Sequence, residues 1–351
     1  MTLNSAPTAT EALPALAEAE ELAEAGRLLD ALEHLEAHAR GARHPAVDRR
    51  LAELRYASFA ALGSDGFDAW PLAPDGIDLS GPPAIPEVDA GELTASAVRH
   101  GIASRGSLLV RGLFTDHAAP FVEHIEHALA ARKTVSAARN DGRPVSDEHR
   151  SWFTPLPLPR EAAQTLGRNW VSASGGMLAC DSPRVLQMLL ETYTELGLRE
   201  VVAGYLGERP ILSGNKCTLR RVPLSAGTDW HQDGAFLGKG IRALNIWIAL
   251  TDCGIDSPGM DLVPKRYEEV AETGVGGAVF DWAVGPETVE LVRGDAPVVR
   301  PEFRAGDALL FDDLFLHRTA IEPTMTRPRY AIESWFFAST GYPSGQVPLV
   351  W

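Results

Sequence analysis

Three side chains of the types that bind divalent metals stand out in the second half of the chain. His231 and Asp233 lie two residues apart in the segment TDWHQDGAFLG, and His317 follows in GDALLFDDLFLHRT. Residues two apart on a strand point to the same face, so we expect the first two side chains to lie together. Imidazole and carboxylate groups are ligands for borderline divalent metals. A metal site therefore needs His317, on a later strand, to reach the same place.

This set of ligands indicates two kinds of metal chemistry. Two histidines and one carboxylate on one side of a metal leave the opposite positions open, which is the arrangement of non-haem iron(II) oxygenases. The same side chains also serve as ligands in zinc hydrolases. Taken alone, His-x-Asp is a weak signal, because a strand can carry both residues at the surface, and a lone histidine is more often structural than a ligand. The residues that flank the three ligands must decide between these alternatives.

An arginine that follows the last of these ligands suits a second binding role. Arg329 begins the apolar strand RYAIESWFFA. Its guanidinium could hold a carboxylate through two parallel hydrogen bonds, which lysine cannot reproduce. A dicarboxylate co-substrate needs such a group at the end remote from the metal. Arg327 is a rival for this role, and an arginine that closes a strand at the surface is the structural alternative.

The composition is that of an ordinary globular protein with an acidic surface. Hydrophobic residues make up 45% and charged residues 23% of the 351 residues, and the formal net charge is -15. Such a surface repels nucleic acids and anionic membranes, so we expect neither as a partner. Three separated cysteines fit neither a disulfide framework nor a zinc–thiolate site and indicate a reducing compartment. Since no secretory signal or membrane span is evident, we predict a cytoplasmic protein.

The chain divides into three segments by composition. Residues 1–62 are rich in Ala, Glu and Leu at helical spacing and predict an N-terminal helical hairpin similar to one tetratricopeptide unit. We expect this extension to pack on the main domain or to form a homodimer, since one unit is too short for a peptide-binding array. Residues 63–89, rich in proline and glycine, predict a linker. Residues 90–351 form the third segment.

The third segment begins with helical patterns and ends with strand patterns. Helices are predicted near 92–106, 120–134 and 183–205. Beyond them, short apolar runs are separated by turn residues, as expected for a β-sandwich or barrel covered by a helical layer. We therefore predict an α+β fold with a mainly β core, a double-stranded β-helix of the jelly-roll or cupin type.

Several motifs of this segment, taken together in their order and spacing, resemble the phytanoyl-CoA dioxygenase-like family of 2-oxoglutarate oxygenases. The resemblance extends from about Gly101 to Phe337. Its pieces are WHQD (230–233), LNIWIALTD (244–252), SPGMDLVP (257–264), GDALLFD (306–312), HRT (317–319) and RPRYAI (327–332). There are two departures from the family pattern. The segment between His317 and Arg329 is one residue longer than is common, and PKRY replaces a usual Gly-Ser-His turn.

The resemblance implies a role for each matching residue. Arg329 would bind the distal carboxylate of 2-oxoglutarate, with the hydroxyl of Thr319 beside it. Trp247 would line the co-substrate pocket, and Cys217 falls where the family also contacts 2-oxoglutarate. The ligands of Fe(II) would be His231, Asp233 and His317.

The resemblance also implies an activity. With 2-oxoglutarate and O2 as co-substrates, the protein would hydroxylate a small-molecule substrate and release succinate and CO2. The carboxylate of Asp233 favours hydroxylation, desaturation or ring formation over halogenation, since related halogenases carry a small residue there. We expect an amino acid or a secondary-metabolite intermediate as the substrate. The residues expected to bind it are Trp230, Gln232, Phe236 and Arg221.

Two other functions would use the same features differently. The domain could be a metal-binding or ligand-binding cupin without oxygenase activity, although a carboxylate-binding arginine beside the metal ligands argues against an inert barrel. Alternatively, the N-terminal helices could be an interaction module with the barrel as a scaffold. Iron-dependent formation of succinate would distinguish the first alternative, and deletion of residues 1–62 would distinguish the second.

Overall fold

The computed structural model describes residues 12–40, 44–63, 84–225 and 227–351. The linker predicted at 63–89 therefore falls largely outside the described residues. None of the helices in the described ranges combines the length and the apolar character needed to span a bilayer.

The N-terminal segment contains three helices in its described residues, one more than the predicted hairpin: α1 (Ala12–Glu24), α2 (Leu28–Ala39) and α3 (Pro45–Ser58). The first turn comes at Gly26, whose φ of 77° is a conformation that glycine adopts at no steric cost. Helix α3 begins at a proline, whose missing N–H is not needed in the first turn of a helix. The apolar faces of the three helices pack together and against Ile211 and Val350 of the main body.

A buried arginine joins these helices to the rest of the protein. Arg55 of α3 is only 2% exposed, and its Nη1 donates a hydrogen bond of 2.7 Å to the carbonyl of Val350. Its guanidinium also donates to the side chain of Gln187 and forms an ion pair with Glu36 of α2. The helices are thus docked on the main body within one chain. A homodimer through them stays a prediction.

The centre of the body is a large, mainly antiparallel sheet. Only the outermost pair of strands, at one edge, is parallel. This edge includes part of the predicted linker, because residues 87–89 form a strand. The eight strands of this large sheet are β1 (Glu87–Asp89), β2 (Ser107–Arg111), β3 (Gly176–Leu178), β4 (Pro210–Val222), β5 (Ala243–Ala249), β7 (Ala308–Phe311), β9 (Arg329–Ala338) and β10 (Pro348–Val350).

Two further strands, β6 (Gly259–Leu262) and β8 (His317–Ala320), form a separate small antiparallel sheet. In the large sheet the order is β1-β2-β7-β5-β9-β4-β10, with β3 also paired to β4. One of the short apolar runs that predict strands, PVVRPEF (297–303), forms no regular strand. Instead, Val299 and Phe303 make isolated bridges to Leu262 and Cys253.

Helices cover one face of the large sheet, as predicted. The helical pattern at 183–205 is divided in two at Gly197, which has a φ of 71°. Two short helices follow the strands β4 and β6. The helices of the main body are α4 (Ala95–Arg105), α5 (Thr115–Asn140), α6 (Asp147–Trp152), α7 (Arg160–Thr165), α8 (Arg168–Ala173), α9 (Pro183–Glu195), α10 (Leu198–Leu206), α11 (Gly234–Leu237) and α12 (Pro286–Arg293).

Alternate residues of each strand belong to different clusters of the core. On β5, for example, Ile246 and Ile248 pack in the cluster that includes the helices, whereas Trp247 packs in a second cluster on the opposite face. This alternation follows from the period of two of an extended strand. The second face is the one turned toward the small sheet.

Strand β4 contains an irregularity that decides which of its residues share this second face. Leu212 pairs with Phe336 and Cys217 pairs with Ser334, so five positions along β4 correspond to two along β9. Extra residues in one strand locally break the alternation between faces. Beyond the irregularity, the odd-numbered residues of β4 face the helices and the even-numbered ones face the small sheet.

Candidate metal centre

The three residues with metal-binding side chains come together as the sequence predicts. One ligand atom from each of His231, Asp233 and His317 lies within 4.8 Å of the others. The two imidazole rings are 4.4 Å apart between centroids, and Nε2 of His317 is 3.7 Å from Oδ2 of Asp233. This spacing suits three ligands of one ion.

The backbone brings these ligands together in a way that differs from the predicted strand. His231 forms an isolated antiparallel bridge with His317, the first residue of β8. Asp233 is already in a helical conformation, with φ of -61° and ψ of -24°, and precedes helix α11. The chain therefore turns between the two ligands instead of continuing as a strand. Gly234 permits the close approach of Asp313 beside this turn, because a Cβ there would lie 2.9 Å from Oδ2 and 3.2 Å from the carbonyl oxygen of Asp313.

Gln232 was expected to bind substrate, but it has a structural position between the two ligands. It is fully buried, and its Nε2 donates a hydrogen bond of 2.6 Å to the carbonyl of Leu314. Its Oε1 accepts a hydrogen bond of 2.7 Å from the backbone of Ala271. Gln232 thus ties the ligand-bearing loop to two neighbouring loops and does not line the cavity described below.

Trp230 also points away from the metal ligands, contrary to the prediction. Its ring packs in a small apolar cluster with Val263 and Leu316. The guanidinium of Arg318 lies 4.9 Å from the ring centroid on the outer side of the small sheet. The reason is the alternation along the chain: since His231 faces the cavity, its neighbour faces the opposite way.

Both histidines are oriented by hydrogen bonds at Nδ1, which leaves Nε2 of each ring free to bind a metal. Nδ1 of His231 lies 2.8 Å from the carbonyl oxygen of Asp229, and Nδ1 of His317 lies 3.0 Å from that of Phe315. A carbonyl can only accept a hydrogen bond, so each Nδ1 carries the proton and each Nε2 keeps its lone pair for a metal. Burial, with His317 close by, lowers the pKa of His231 to about 3, so this ring is neutral at physiological pH.

The three side chains open into a cavity between the large and the small sheet. Its volume is about 350 Å³. Strands β4, β5 and β9 supply one wall, and β6 and β8 supply the opposite wall. Besides the metal-binding residues, the described side chains that line it include Lys216, Thr218, Arg220, Phe236, Asn245, Trp247, Met260, Trp282, Thr319, Arg329 and Glu333.

Arg329 lies in this cavity as a buried cation. It is 1% exposed, and its Nη1 donates to the backbone carbonyls of Pro258 and Gly259 at 3.1 and 2.8 Å. Its Nε has no hydrogen-bond partner among the described residues. Because burial penalises the charged form, the pKa of this guanidinium is lowered to about 10. Among the described residues, Arg329 therefore has no carboxylate with which it forms an ion pair.

Arg327, the alternative carboxylate-binding residue, does not line this cavity. Arg327 is largely exposed and pairs with Asp256 at 3.1 Å. Both residues line a different cavity, of about 860 Å³, that also includes Arg111 and Asp307. This second cavity is larger but contains none of the three metal-binding residues. Position therefore favours Arg329 over Arg327 as the group that faces a ligand beside the metal.

Two other residues expected beside the co-substrate also line the cavity. Trp247 is buried on β5, and the guanidinium of Arg329 lies 5.2 Å from its ring centroid. Thr319 is on β8, two residues beyond His317, and its backbone N–H donates a hydrogen bond of 2.8 Å to the hydroxyl of Thr228. Both side chains point to the face of their strand that the alternation of side chains along a strand assigns to the cavity.

Cys217 and Arg221 were expected at the site but lie on the other face of β4. Cys217 is fully buried in the core beneath the helices, and its Sγ lies 3.7 Å from the hydroxyl of Ser334. Arg221 is half exposed and approaches Glu126 of α5 at 3.8 Å. The irregularity in β4 is the reason, because it places the even-numbered residues toward the cavity.

Sequence reasoning missed the polar residues that take those places. Lys216 and Arg220 are cations, and Glu333 of β9 accepts hydrogen bonds from the hydroxyl of Thr218 at 3.2 Å and the indole of Trp335 at 3.1 Å. Side chains two positions apart on a strand point to the same face. Once the face of β4 and of β9 that lines the cavity was known, this spacing would have identified these residues.

Asn245 of β5 was also missed. It is 2% exposed and lines the cavity, and its side-chain oxygen has no hydrogen-bond partner among the described residues. Asn245 lies beside Phe311 of β7, whose ring packs against His317 at 4.8 Å between centroids. The unpaired amide oxygen therefore belongs to a residue whose neighbour on the next strand packs against a metal-binding histidine.

Aromatic rings form the outer part of the cavity. Phe236, which was predicted at the site, is 40% exposed and packs near His231. Trp282 contacts the same histidine edge-on, 5.6 Å between centroids, and stacks on Phe280 at 5.2 Å. The long connection between β6 and β7 supplies Trp282, and no motif in the sequence marks it.

One family matches the part of the chain that bears the motifs. Residues 216–322 match the model of the phytanoyl-CoA dioxygenase family. This match covers the three metal-binding residues and confirms the family resemblance predicted from the motifs. No curated protein matches the chain.

Three solved structures are remotely similar to this chain. The non-heme alpha ketoglutarate dependent carbocyclase SnoK from nogalamycin biosynthesis is 15% identical over 74% of this chain and 87% of that chain, with a TM-score of 0.43. AviO1 from Streptomyces viridochromogenes Tue57 is 17% identical over 72% and 98%, with a TM-score of 0.40. EctD from S. alaskensis with bound Fe is 13% identical over 69% and 76%, with a TM-score of 0.38. At this similarity they say nothing about the activity of this chain.

Proposed function

We propose that this protein, phytanoyl-CoA dioxygenase-like in the segment that bears its motifs, is an Fe(II)- and 2-oxoglutarate-dependent dioxygenase that hydroxylates a small molecule. One observation carries the proposal: three metal-binding side chains open into the same cavity as a buried arginine that has no anionic partner among the described residues. The three metal-binding side chains alone, or the buried arginine alone, could serve only to stabilise the fold. Together they provide the two separate groups that a chelating dicarboxylic keto acid requires.

The donor atoms fit Fe(II). Two imidazole nitrogens and one carboxylate oxygen are ligands of the facial type that leaves positions open for other molecules. The Nδ1 hydrogen bonds of His231 and His317 fix both rings, so the ligands are oriented before a metal binds. Asp233 is 4% exposed, and its carboxylate offsets part of the charge of a dication. Zinc could use the same atoms, and the experiment below therefore controls the metal.

The buried arginine of this cavity fits the distal carboxylate of 2-oxoglutarate. Arg329 is buried and has no anionic partner in the described part of the chain, so a ligand carboxylate bound to it would offset the cost of a buried, unpaired cation. Its two bonds to the carbonyls of Pro258 and Gly259 fix the orientation of the guanidinium. Trp247 supplies a flat apolar wall and Thr319 a hydroxyl for the same ligand.

O2 would be the oxidant, and bound Fe(II) together with 2-oxoglutarate would supply the means to activate it, which the side chains of this chain lack. The residues of the cavity would orient the co-substrate and substrate and would exclude water. Phe236 and Trp282 pack against His231 and shield it on the outer side. Gln232 holds the loop between the two nearest ligands, so their spacing is maintained.

We further propose that the two sheets are the two walls of a double-stranded β-helix. The support is that the cavity is lined from one side by β4, β5 and β9 and from the other by β6 and β8. A cytoplasmic location agrees with three buried cysteines that form no disulfide. A small-molecule substrate agrees with the volume of about 350 Å³, part of which 2-oxoglutarate would fill.

The proposal is tested by measuring succinate. The metal-free protein is loaded with Fe(II) without air, mixed with 2-oxoglutarate, and then exposed to O2 with and without a panel of small molecules. We expect slow succinate formation alone and faster formation with a substrate. Zn(II) in place of Fe(II), and the variant Asp233→Ala, should give none. Equal succinate with and without Fe(II), or equal metal binding by His231→Ala, would refute the proposal.

A further inference from the structure

The charges inside the cavity are not balanced. Among the described residues that line it, the basic ones are Lys216, Arg220 and Arg329, and the acidic ones are Asp233 and Glu333. A divalent metal and a dianionic 2-oxoglutarate would cancel each other. One positive charge would then remain, and an unpaired charge in a partly buried site is unfavourable.

The contacts of the three basic residues indicate which of them carries the excess positive charge. Arg220 lies 3.8 Å from the carboxylate of Glu333. Arg329 is the group proposed above for the co-substrate. Lys216 is paired no more closely, since its Nζ is 3.9 Å from Oδ1 of Asp233 and donates no hydrogen bond to a described residue. The carboxylate that it faces, however, is the one that would bind the metal, whereas Glu333 stays available to Arg220. Three N–H groups are thus available on an ammonium whose side chain is only 20% exposed.

Lys216 also lies beside the outer, aromatic part of the cavity. Its Nζ lies 4.0 Å from the ring centroid of Phe236, a cation–π distance. Phe236 packs edge-on against Trp282 at 6.2 Å between centroids. Trp170 of α8 lines the same cavity and is 59% exposed. Exposed rings that line a cavity indicate an occupant with an apolar surface.

From this juxtaposition, and resting on the function proposed above, we propose that the primary substrate is a monoanion with a planar apolar body. Its acidic group binds the ammonium of Lys216, and its body packs on the rings of Phe236, Trp282 and Trp170. This arrangement holds the substrate close to the metal, because the same ammonium lies beside Asp233. The proposal narrows the expected substrates to small acids and excludes neutral and cationic compounds of the same shape.

Binding of a matched pair of probes tests the proposal without turnover. The probes are 2-naphthoate, a planar monoanion, and 2-naphthamide, its neutral analogue of almost the same shape. Each is titrated by calorimetry and by tryptophan fluorescence into protein that is saturated with Fe(II) and 2-oxoglutarate in the absence of air. We expect the wild type to bind naphthoate at least about tenfold more tightly than naphthamide, as a charge-assisted contact implies.

The variant Lys216→Met keeps most of the side-chain volume and removes the charge. It should bind the two probes equally, whereas Lys216→Arg should keep most of the preference for naphthoate. Lys239→Met is the matched control, since Lys239 is exposed and does not line the cavity. Circular dichroism of each variant checks that the fold is retained.

Three results would overturn the inference. The first is a wild type that binds neither probe or prefers the amide. The second is a Lys216→Met variant that still prefers naphthoate. The third is a loss of about tenfold or more in the affinity of Lys216→Met for 2-oxoglutarate, which would assign the ammonium to the co-substrate. Charge-dependent binding without succinate formation would instead refute the proposed function and leave the binding site intact.

Discussion

The backbones of His231 and His317 are paired with each other directly. The N–H of His231 donates to the carbonyl of His317 at 3.0 Å, and the N–H of His317 donates back at 3.1 Å. The two rings therefore leave one bridge on the same side, 4.4 Å apart. This pairing makes the spacing of two metal-binding groups a property of the backbone, so it exists before any metal binds.

The neutral state of His231 makes the stability of the metal-free protein depend on pH. Its pKa is lowered to about 3 by burial, from an unfolded value of 6.5. As the pH falls below 6.5, the unfolded chain takes up a proton that the folded ring refuses, so folding is progressively disfavoured until about pH 3. We expect wild type to lose about 2 kcal/mol more than His231→Gln between about pH 7 and pH 5. Urea unfolding of both metal-free proteins at the two pH values measures this difference. An identical loss in both would show that His231 is protonated normally.

The two neighbouring arginines should differ in their effect on the co-substrate. Replacement of Arg329 by lysine keeps a charge but loses the fork of donors that matches a carboxylate. We expect Arg329→Lys to raise the KM for 2-oxoglutarate roughly tenfold or more, with a smaller change in kcat. Arg327→Lys should leave both constants unchanged, because Arg327 lines a different cavity. Steady-state assays of succinate measure both variants. The opposite pattern would identify Arg327 as the carboxylate-binding group.

Sequence patterns were sufficient for the convergence of the metal-binding residues and for much of the architecture. Alternating apolar runs predicted strands that the structure contains at 210–222, 243–249 and 329–338, and the helical patterns ahead of them cover the sheet. The strands and helices depend on local periodicity, which a sequence contains. The family resemblance, and not periodicity, assigned Trp247 to the co-substrate pocket and Arg329 to its carboxylate, and both residues line the cavity.

The residues that sequence reasoning missed depend on features without periodicity. The extra residues of β4 near Gly214 reverse the parity of the strand, so Lys216 replaces Cys217 at the cavity. Trp282 comes from a long connection whose course is set by tertiary contacts. Its position follows from the hydrogen bond of the next-but-one residue, Val284, to the carbonyl of Trp230. No local pattern contains that information.

Asn245 should be a residue whose replacement stabilises the protein and impairs its function. Its side-chain oxygen is buried without a partner among the described residues, so an apolar side chain of similar size removes a desolvation cost. We expect Asn245→Leu to raise the free energy of unfolding by about 1 kcal/mol and to lower oxygenase activity. Urea unfolding and succinate assays measure the two effects.

Asn215 is the matched control for this measurement. Its Nδ2 donates to the carbonyl of Thr165, and its Oδ1 accepts a hydrogen bond of 2.6 Å from the backbone of Val347. Asn215→Leu should therefore lower the free energy of unfolding, by about 2 kcal/mol. If both variants were destabilised alike, Asn245 would have a partner in solution and would not be free to meet a ligand.

The N-terminal helices should be necessary for stability because of Arg55. Replacement by methionine keeps the apolar contacts of the side chain but leaves Glu36, a largely buried carboxylate, without its nearest cation. It also removes the donor to the carbonyl of Val350. We expect Arg55→Met to lower the free energy of unfolding by about 3 kcal/mol. Arg49→Met removes only an exposed pair with Glu53 and should cost less than about 0.5 kcal/mol. Equal unfolding curves for the two variants would mean that the helices detach before the main body unfolds. In that case deletion of residues 1–62 would leave the stability of the sheet unchanged, and the helices would be free to serve as an interaction module.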